Sequence, residues 1–369
     1  DAAARDLAIA PDMLRKRNFI KPQAMPYRTA TGKVYDSGEF AGHMARAQEI
    51  ADWKGFNRRR ALSKKSGKLR GIGLATYIEA CGAVGPETAK LTLDKNGVVT
   101  VLIGSQSTGQ GHHTAYAQLI AEQLDVAPEQ VRVVQGDTRL IASGAGTGGS
   151  SSIPCGGVAT AGAAKRLADN LKDIAADALE ASVADIEFAG GQVRIAGTDR
   201  ALSLAELAQS PKADPTRLTA EDTFAPKAAT YPNGTHLAEV EIDADTGHVD
   251  IVNYVVVDDF GMTLNPLLLE GQVEGGAVQG IGQALMERTV YDSDSGQLIT
   301  ASLLDYALPR AGDTPGFVFE TRNVRCATNP LGVKGAGEAG TIGACPAVIN
   351  AVVDALWRAY RIRHVDMPA

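Results

Sequence analysis

Three glycine-rich loops, each placed just ahead of a helical pattern, constrain this 369-residue chain more than any other feature. They are Gly109-Gln110-Gly111, the run 144–152, built only from Gly, Ala, Thr and Ser, and the run 335–343. Glycine reaches backbone conformations closed to other residues and lets a backbone approach a ligand closely. At a helix N-terminus, the exposed N–H groups then form an anion site. One such loop is an ordinary turn. Three in one chain, one of them rich in hydroxyls, point to a large phosphorylated ligand held by backbone. None is a Walker loop, and none is a G-x-G-x-x-G that follows a strand and has a downstream acid, which disfavours an ordinary nucleotide fold.

Around these loops, strand and helix patterns alternate irregularly. Residues 1 to about 65 are polar and helical in tendency, with 1–17 reading as one helix and Asp36-Ser37-Gly38 as a break. Gly71–Ala80, Lys90–Asp94 and Val98–Ile103 read as strands, and Lys95-Asn96-Gly97 is a strong hairpin signal between the last two. The helix after Gly111 shows an apolar face of Tyr116, Leu119, Ile120 and Leu124. A short strand, Val131–Val134, and a long alanine-rich helix through about Ala181 follow.

Glu187–Ile195 and Thr219–Thr223 read as strands, and His236–Asp243 with Val249–Asp258 as a second hairpin around Asp245-Thr246-Gly247. Asn265-Pro266 starts a helix to about Glu287, and Pro346 opens a last amphipathic one. The pattern predicts an α+β fold of mixed sheets with packed helices, not a doubly wound parallel sheet. Hairpin-then-helix modules at about 71–184 and 219–362 point to a duplicated architecture. The expected division is a helical connecting segment at 1–68, a first α+β module at 69–215, and a second at 216–369 carrying the Glu338 loop.

The bulk numbers are those of a globular domain, with 44% apolar and 21% charged residues. A net charge of −7 argues against a nucleic-acid binder, whose footprint is a basic face. No uninterrupted run approaches the ~20 apolar residues that span a bilayer, so no transmembrane segment is expected. Cys81, Cys155, Cys326 and Cys345 are far apart, which suits the reducing cytoplasm and leaves no zinc or iron–sulfur site in this chain. Asp1 is not a Met, and the last residues are extended in character, so the chain reads as one piece of a larger subunit.

Single residues leave alternatives open. Glu338 lies in Lys334-Gly335-Ala336-Gly337-Glu338-Ala339-Gly340, either as a general base against a ligand or as an exposed glutamate in a flexible loop. His112 and His113 are adjacent, point in different directions and make no metal pair, while His43, His236, His248 and His364 are isolated. Asp258-Asp259 either binds a divalent ion or ends a strand and caps a turn.

Taken together, Gly104 to Asp137 (GSQSTGQGHHTAYAQLIAEQLDVAPEQVRVVQGD), Val255 to Arg310 and Asn329 to Leu356 resemble the large, molybdenum-binding subunits of aerobic CO dehydrogenase-like molybdenum hydroxylases. These belong to the xanthine dehydrogenase/aldehyde oxidase family. The similarity covers essentially the whole chain, including Asp1 to Ile20 and Ala75 to Glu79. It implies the second half of a molybdopterin-binding domain, with molybdopterin in its cytosine dinucleotide form and molybdenum. The implied partners are the upstream half of the molybdenum subunit, and subunits or domains carrying 2Fe-2S clusters and FAD.

By the same resemblance, Gln110, Gly111 and His112 line the cofactor, as does the 147–152 loop with Thr147, Gly149, Ser150 and Ser152. Asp259, Phe260, Thr263 and Asn265 fall on another cofactor-contacting segment, and Gln279 on the glycine-rich helix beneath it. Glu338 falls on the catalytic glutamate. The implied reaction is oxidation of a small substrate (an aldehyde, an N-heterocycle or CO) by base-assisted attack of a molybdenum-bound, water-derived hydroxyl. A competing reading is a non-catalytic cofactor-binding or assembly protein on the same scaffold.

Two departures bear on cofactor binding. Gly149-Ser150-Ser151-Ser152 stands where relatives commonly have Gly-Ser-Arg-Ser, losing an arginine able to pair with a phosphate. Phe260 stands where many have cysteine after the paired aspartates. The segments beside the molybdenum centre that lie upstream in the family precede the region matching Asp1, so this chain alone is expected to leave the site incomplete.

Overall fold

A computed structural model describes residues 1–144 and 146–369; Ala145, inside the expected 144–152 loop, lies outside the described residues. The chain begins with helices α1 (Ala2–Asp6) and α2 (Pro11–Asn18), a small hairpin of β1 (Tyr27–Arg28) and β2 (Val34–Tyr35), then α3 (Phe40–Ile50) and α4 (Phe56–Lys65). Strands β3 (Lys68–Ile78), β4 (Glu87–Leu93) and β5 (Val99–Ile103) lead into α5 (His112–Leu124) and β6 (Val131–Val134). After α6 (Val158–Leu179) come β7 (Ile186–Ala189), β8 (Gln192–Ile195), β9 (Ala201–Ser203), α7 (Leu204–Gln209) and β10 (Thr219–Phe224). The last part comprises β11 (Asn233–Asp243), β12 (Val249–Asp259), α8 (Pro266–Leu285), β13 (Phe317–Thr321) and α9 (Ala339–Tyr360).

Two units result. A terminal unit joins Asp1–Ala80, Tyr231–Ala327 and Ala336–Ala369, and a central unit joins Cys81–Thr230 and Thr328–Gly335. The central sheet runs β10-β4-β5-β6, antiparallel except for the parallel β5/β6 pair. Ala89, Leu91 and Leu93 of β4 alternate with less buried residues, as do Val99, Val101 and Ile103 of β5, so one face is covered. Helix α6 packs on β4 and β10, burying Ala163, Ala164, Leu167, Leu171 and Ile174 at helical spacing. Each large apolar side chain removed from water contributes about 1.5–3 kcal/mol. Strands β7, β8 and β9 form a separate antiparallel sheet.

In the terminal unit the sheet runs β13-β12-β11-β3, with the β12/β13 pair parallel and the others antiparallel. Helices α8 and α9 cover the face of Ala75, Ala238, Tyr254 and Val256, while α3 lies on that of Leu237, Val255 and Val257. Helix α9 lies so close to β3 that a Cβ on Gly73 would stand 2.2 Å from the Ala347 carbonyl, and one on Gly71 2.0 Å from that of Ala351. Asn350 donates to the Leu74 carbonyl at 3.1 Å, and Asp354 accepts from the Ile72 N–H at 3.2 Å, which satisfies backbone groups of the edge strand β3.

The expected duplication is visible as topology. Each unit contains an antiparallel hairpin, a helix, a strand parallel to the hairpin's second strand, and a 22-residue helix on the hairpin's first strand. The outermost strand differs in origin: β10 follows its hairpin along the chain, whereas β3 precedes its own. For that reason the division at 68 and 215 does not match the units. Strand β3 belongs with the second hairpin (Gly73 opposite Ala238) and β10 with the first (Ala220 opposite Leu91).

Other expectations are corrected locally. Residues 1–17 are two helices, separated by Ala8 at φ 51° and Pro11. Glu187–Ile195 is a hairpin whose turn residues Gly190 and Gly191 have φ of 61° and 76°. The last helix opens at Ala339, and Pro346 lies inside it, because packing holds the glycine-rich first turns helical. Helix α9 is also long and apolar enough, by length and composition, to cross a bilayer, contrary to the expectation from uninterrupted runs. Much of that apolar surface lies against β3, β11 and α8.

Candidate cofactor and active site

Parallel strands send their following loops to one edge of a sheet, and ligands of open α/β sheets bind outside those carboxyl ends. In the central unit, the loops after β5 and β6 contain Gly109–Gly111 and 144–152. In the terminal unit, the loop after β12 contains Phe260, Thr263 and Asn265, and the connection after β13 leads to Glu338.

The central loops are stitched together. An added Cβ on Gly104 would lie 2.4 Å from the Gly144 Cα, so only glycine permits that crossing. The Glu87 carboxylate accepts the Gly104 N–H at 3.2 Å, and burial raises its pKa against that hydrogen bond. Thr147 donates to the Gln106 carbonyl and lies 3.4 Å from the Ser152 hydroxyl. From α5, the buried Tyr116 hydroxyl shares a 2.6 Å hydrogen bond with Ser105 and donates to the Ser152 carbonyl at 2.9 Å. Burial also raises the Tyr116 pKa. Gly149 accepts from the Gly82 N–H at 2.9 Å, and Gly335, where the third loop begins, backs onto Ser150. Ser150 itself has a left-handed φ of 51°. The loops after β5 and β6 thus meet in this unit, with Gly335 against the second of them.

Gly111 caps α5 at φ 78°, and the Gln110 Oε1 is held by the Thr108 N–H at 2.6 Å. His112 is buried, and its Nδ1 has no hydrogen-bond partner. Burial first, then the neighbouring His113, lowers its pKa to about 4, so its ring is neutral at pH 7. An added Cβ at Gly109, Gly146 or Gly148 would meet nothing within 4 Å, so these backbones border open space. An orphaned imidazole nitrogen beside accessible glycine backbone fits a large anionic cofactor.

In the terminal unit, the two aspartates at the end of β12 point to opposite faces. Asp259 accepts the N–H groups of Gly261 and Val324 at 2.9 Å, together with the Asn233 amide, and so braces the turn. Asn323 accepts the Phe260 N–H and donates to Thr263, both at 2.9 Å, while the Phe260 ring is in the core. Asn265 caps α8 by accepting the Leu268 N–H at 3.0 Å. Exposed Gln279 lies 3.5 Å from the Thr341 hydroxyl. Glu338 is the N-cap residue of α9, and its side chain is exposed. Gln272 donates to the Gly337 carbonyl at 2.8 Å, and Thr341 to that of Gly276 at 2.8 Å, fixing the loop on α8. Sequence reasoning missed Tyr116, which reads as part of an apolar stripe, and Asn323, for which no local signal exists.

The fold and these loops define a cofactor-binding domain, and the chain belongs to the molybdopterin-binding domain of the xanthine dehydrogenase family: the family profile for the molybdopterin cofactor-binding domain matches residues 46–315. It is 34% identical to the 6-hydroxypseudooxynicotine dehydrogenase complex subunit gamma of Paenarthrobacter nicotinovorans, over 96% of this chain and 46% of that subunit. Identity with the carbon monoxide dehydrogenase large chain of Hydrogenophaga pseudoflava is 32%, over 100% of this chain and 48% of that one. The crystal structure of Cu,Mo-CO dehydrogenase superposes with a TM-score of 0.88 at 31% identity, covering 99% of this chain and 49% of that one. Quinoline 2-oxidoreductase from Pseudomonas putida 86 superposes at 0.86 with 32% identity, over 97% and 48%. The chain therefore spans about half the length of these relatives.

Proposed function

We propose that this chain is the base-bearing, cofactor-holding part of a molybdenum hydroxylase that oxidises an aldehyde, an N-heterocycle or CO with water-derived oxygen. The observation that carries the reading is the placement of Glu338 at the N-cap of α9, with its side chain exposed and its loop fixed on α8. A carboxylate there is accessible to a substrate and held by a rigid element, as a general base requires.

Molybdopterin with molybdenum, read here as the cytosine dinucleotide form, supplies the redox chemistry when bound. The loops containing Gly111, Thr147, Gly149, Ser150 and Ser152 would hold its phosphates through backbone N–H groups and hydroxyls. Gln110 and neutral His112 add uncharged hydrogen bonds. In the terminal unit, Asp259, Phe260, Thr263 and Asn265 shape the loop, and Gln279 stands on the helix below it. Glu338 accepts the proton of the water-derived oxygen as that oxygen attacks an electron-poor substrate carbon. Iron–sulfur and FAD partners would take up the electrons; the relatives' names, a complex subunit gamma and a large chain, support a multi-subunit assembly. The rest of the large subunit completes the site, and a cytoplasmic location suits four cysteines that form no disulfide.

The test is molybdenum and released cytosine nucleotide, measured in the chain alone and then co-expressed with the other half of its subunit. Both ligands are expected only in the joint preparation. In the assembled enzyme, Glu338→Gln is expected to cut turnover roughly 10²–10⁴-fold with molybdenum content unchanged. Full activity in that variant would remove Glu338 as the base. Absence of metal and nucleotide from a cofactor-competent host would favour the scaffold reading, to which the missing arginine at Ser151 also speaks.

A further inference from the structure

We infer that the buried His236–Asp258 pair of the terminal unit is a positioning element for Glu338, fixing the first turns of α9 against the sheet. Both residues are 0% exposed, on the face of β11 and β12 that α9 covers. His236 Nδ1 shares a 2.9 Å hydrogen bond with the Tyr254 hydroxyl, and its Nε2 stands 3.8 Å from Asp258 Oδ2. Neither that Nε2 nor either Asp258 oxygen has a hydrogen-bond partner. Buried polar atoms without partners are rare in folded proteins, because each carries its desolvation penalty uncompensated. The basic group beside the Asp258 carboxylate is the His236 imidazole.

The surroundings are shaped to this pair. The Asp258 carboxylate occupies the space a side chain on Gly234 would need, an added Cβ lying 1.8 Å from Oδ1. Tyr77 and Tyr254 meet the imidazole edge-on, with centroids at 5.7 and 5.8 Å. On the open side lies Gly343 of α9, where an added Cβ would fall 2.3 Å from His236 Cδ2. In the observed register a glycine meets the ring. From the other flank, α8 presses on the same turns, with Gly276 at Gly340 and Gly280 at Ala344. Glu338 stands five residues before Gly343, about one and a half turns away.

An apolar side chain would fill this space without dictating which residue of α9 faces it. A buried polar pair specifies register more than it raises stability. The functional consequence rests on Glu338 being the base; the helix-positioning claim does not.

The experiment is amide hydrogen exchange on the whole chain, comparing His236→Gln, Asp258→Asn and the double variant His236→Leu/Asp258→Leu with the parent. Exchange of the amides of 342–345 is expected to rise at least tenfold, with those of 351–357 and of α6 unchanged and the melting temperature of the double leucine variant preserved. Unchanged exchange at 342–345, or a rise spread evenly over α6 and α9, would overturn the inference. Should His236→Gln not fold, Asp258→Asn and the leucine pair give the same readout. In the assembled enzyme, with carbon monoxide or quinoline as probe, kcat should fall at least tenfold while KM and molybdenum content hold. If Glu338→Gln abolishes turnover but these variants leave kcat intact, Glu338 remains the base and the positioning role is lost. If Glu338→Gln is fully active, the base reading fails, and the exchange data alone decide whether the pair holds the helix.

Discussion

The Tyr116 hydroxyl does two jobs from one atom: it shares a hydrogen bond with Ser105 and donates to the Ser152 carbonyl, joining two glycine-rich loops. Tyr116→Phe removes the hydrogen bond to the buried Ser105 hydroxyl and a donor to the Ser152 carbonyl while changing volume little. It should cost about 1–3 kcal/mol, read as a lower urea midpoint with an unchanged slope, and should weaken nucleotide retention in the assembled enzyme. At this scale the candidate site stands out in the sequence only where glycine announces it. Glu338, Gln110, Gly111 and the 144–152 run stand out locally. Tyr116 reads as core, and His236 reads as isolated because Tyr254 and Asp258 are brought opposite it only when β11 pairs with β12.

At the scale of elements, the contact between β3 and α9 is set by absent side chains. A Cβ at Gly73 would fall 2.2 Å from both the Ala347 carbonyl and the Ala351 N–H nitrogen, which belong to helix backbone and have nowhere to go. Gly73→Ala should therefore destabilise the fold by about 3 kcal/mol or more, despite the better strand propensity of alanine, and thermal unfolding would show it. An unchanged melting temperature would mean that the helix can retreat from the sheet. Helices and strands with a plain period were readable beforehand, including Val131–Val134 and the Asn265-capped α8. The start of α9 was not, because residues 339–343 look like a breaker until α8 and the sheet enclose them.

At the scale of the whole molecule, protonation of His112 couples cofactor-loop chemistry to global stability. Its pKa is about 4 in the folded chain against an ordinary 6.5, so folding favours the neutral ring. That contribution is complete above pH 6.5 and is lost as the pH falls towards 4, amounting to about 2 kcal/mol after solvent screening is allowed for. In a pH series of melting temperatures, His112→Asn should flatten the decline over that window relative to the parent. Parallel curves would show that the ring is charged without penalty.

What the sequence determined by itself was local and chemical: the α+β class, the hairpins, the loops poised at helix ends and the family to which they belong. These follow from periods of 2 and 3.6, from turn residues and from motifs, all carried within a few positions of one another. Tertiary structure decided the rest. Only long-range pairing could place β3 with β11 and β10 with β4, because register between distant strands depends on which faces can be buried together. That pairing set the unit boundaries, brought the loops after β5 and β6 together in the central unit, and fixed the helix that presents Glu338.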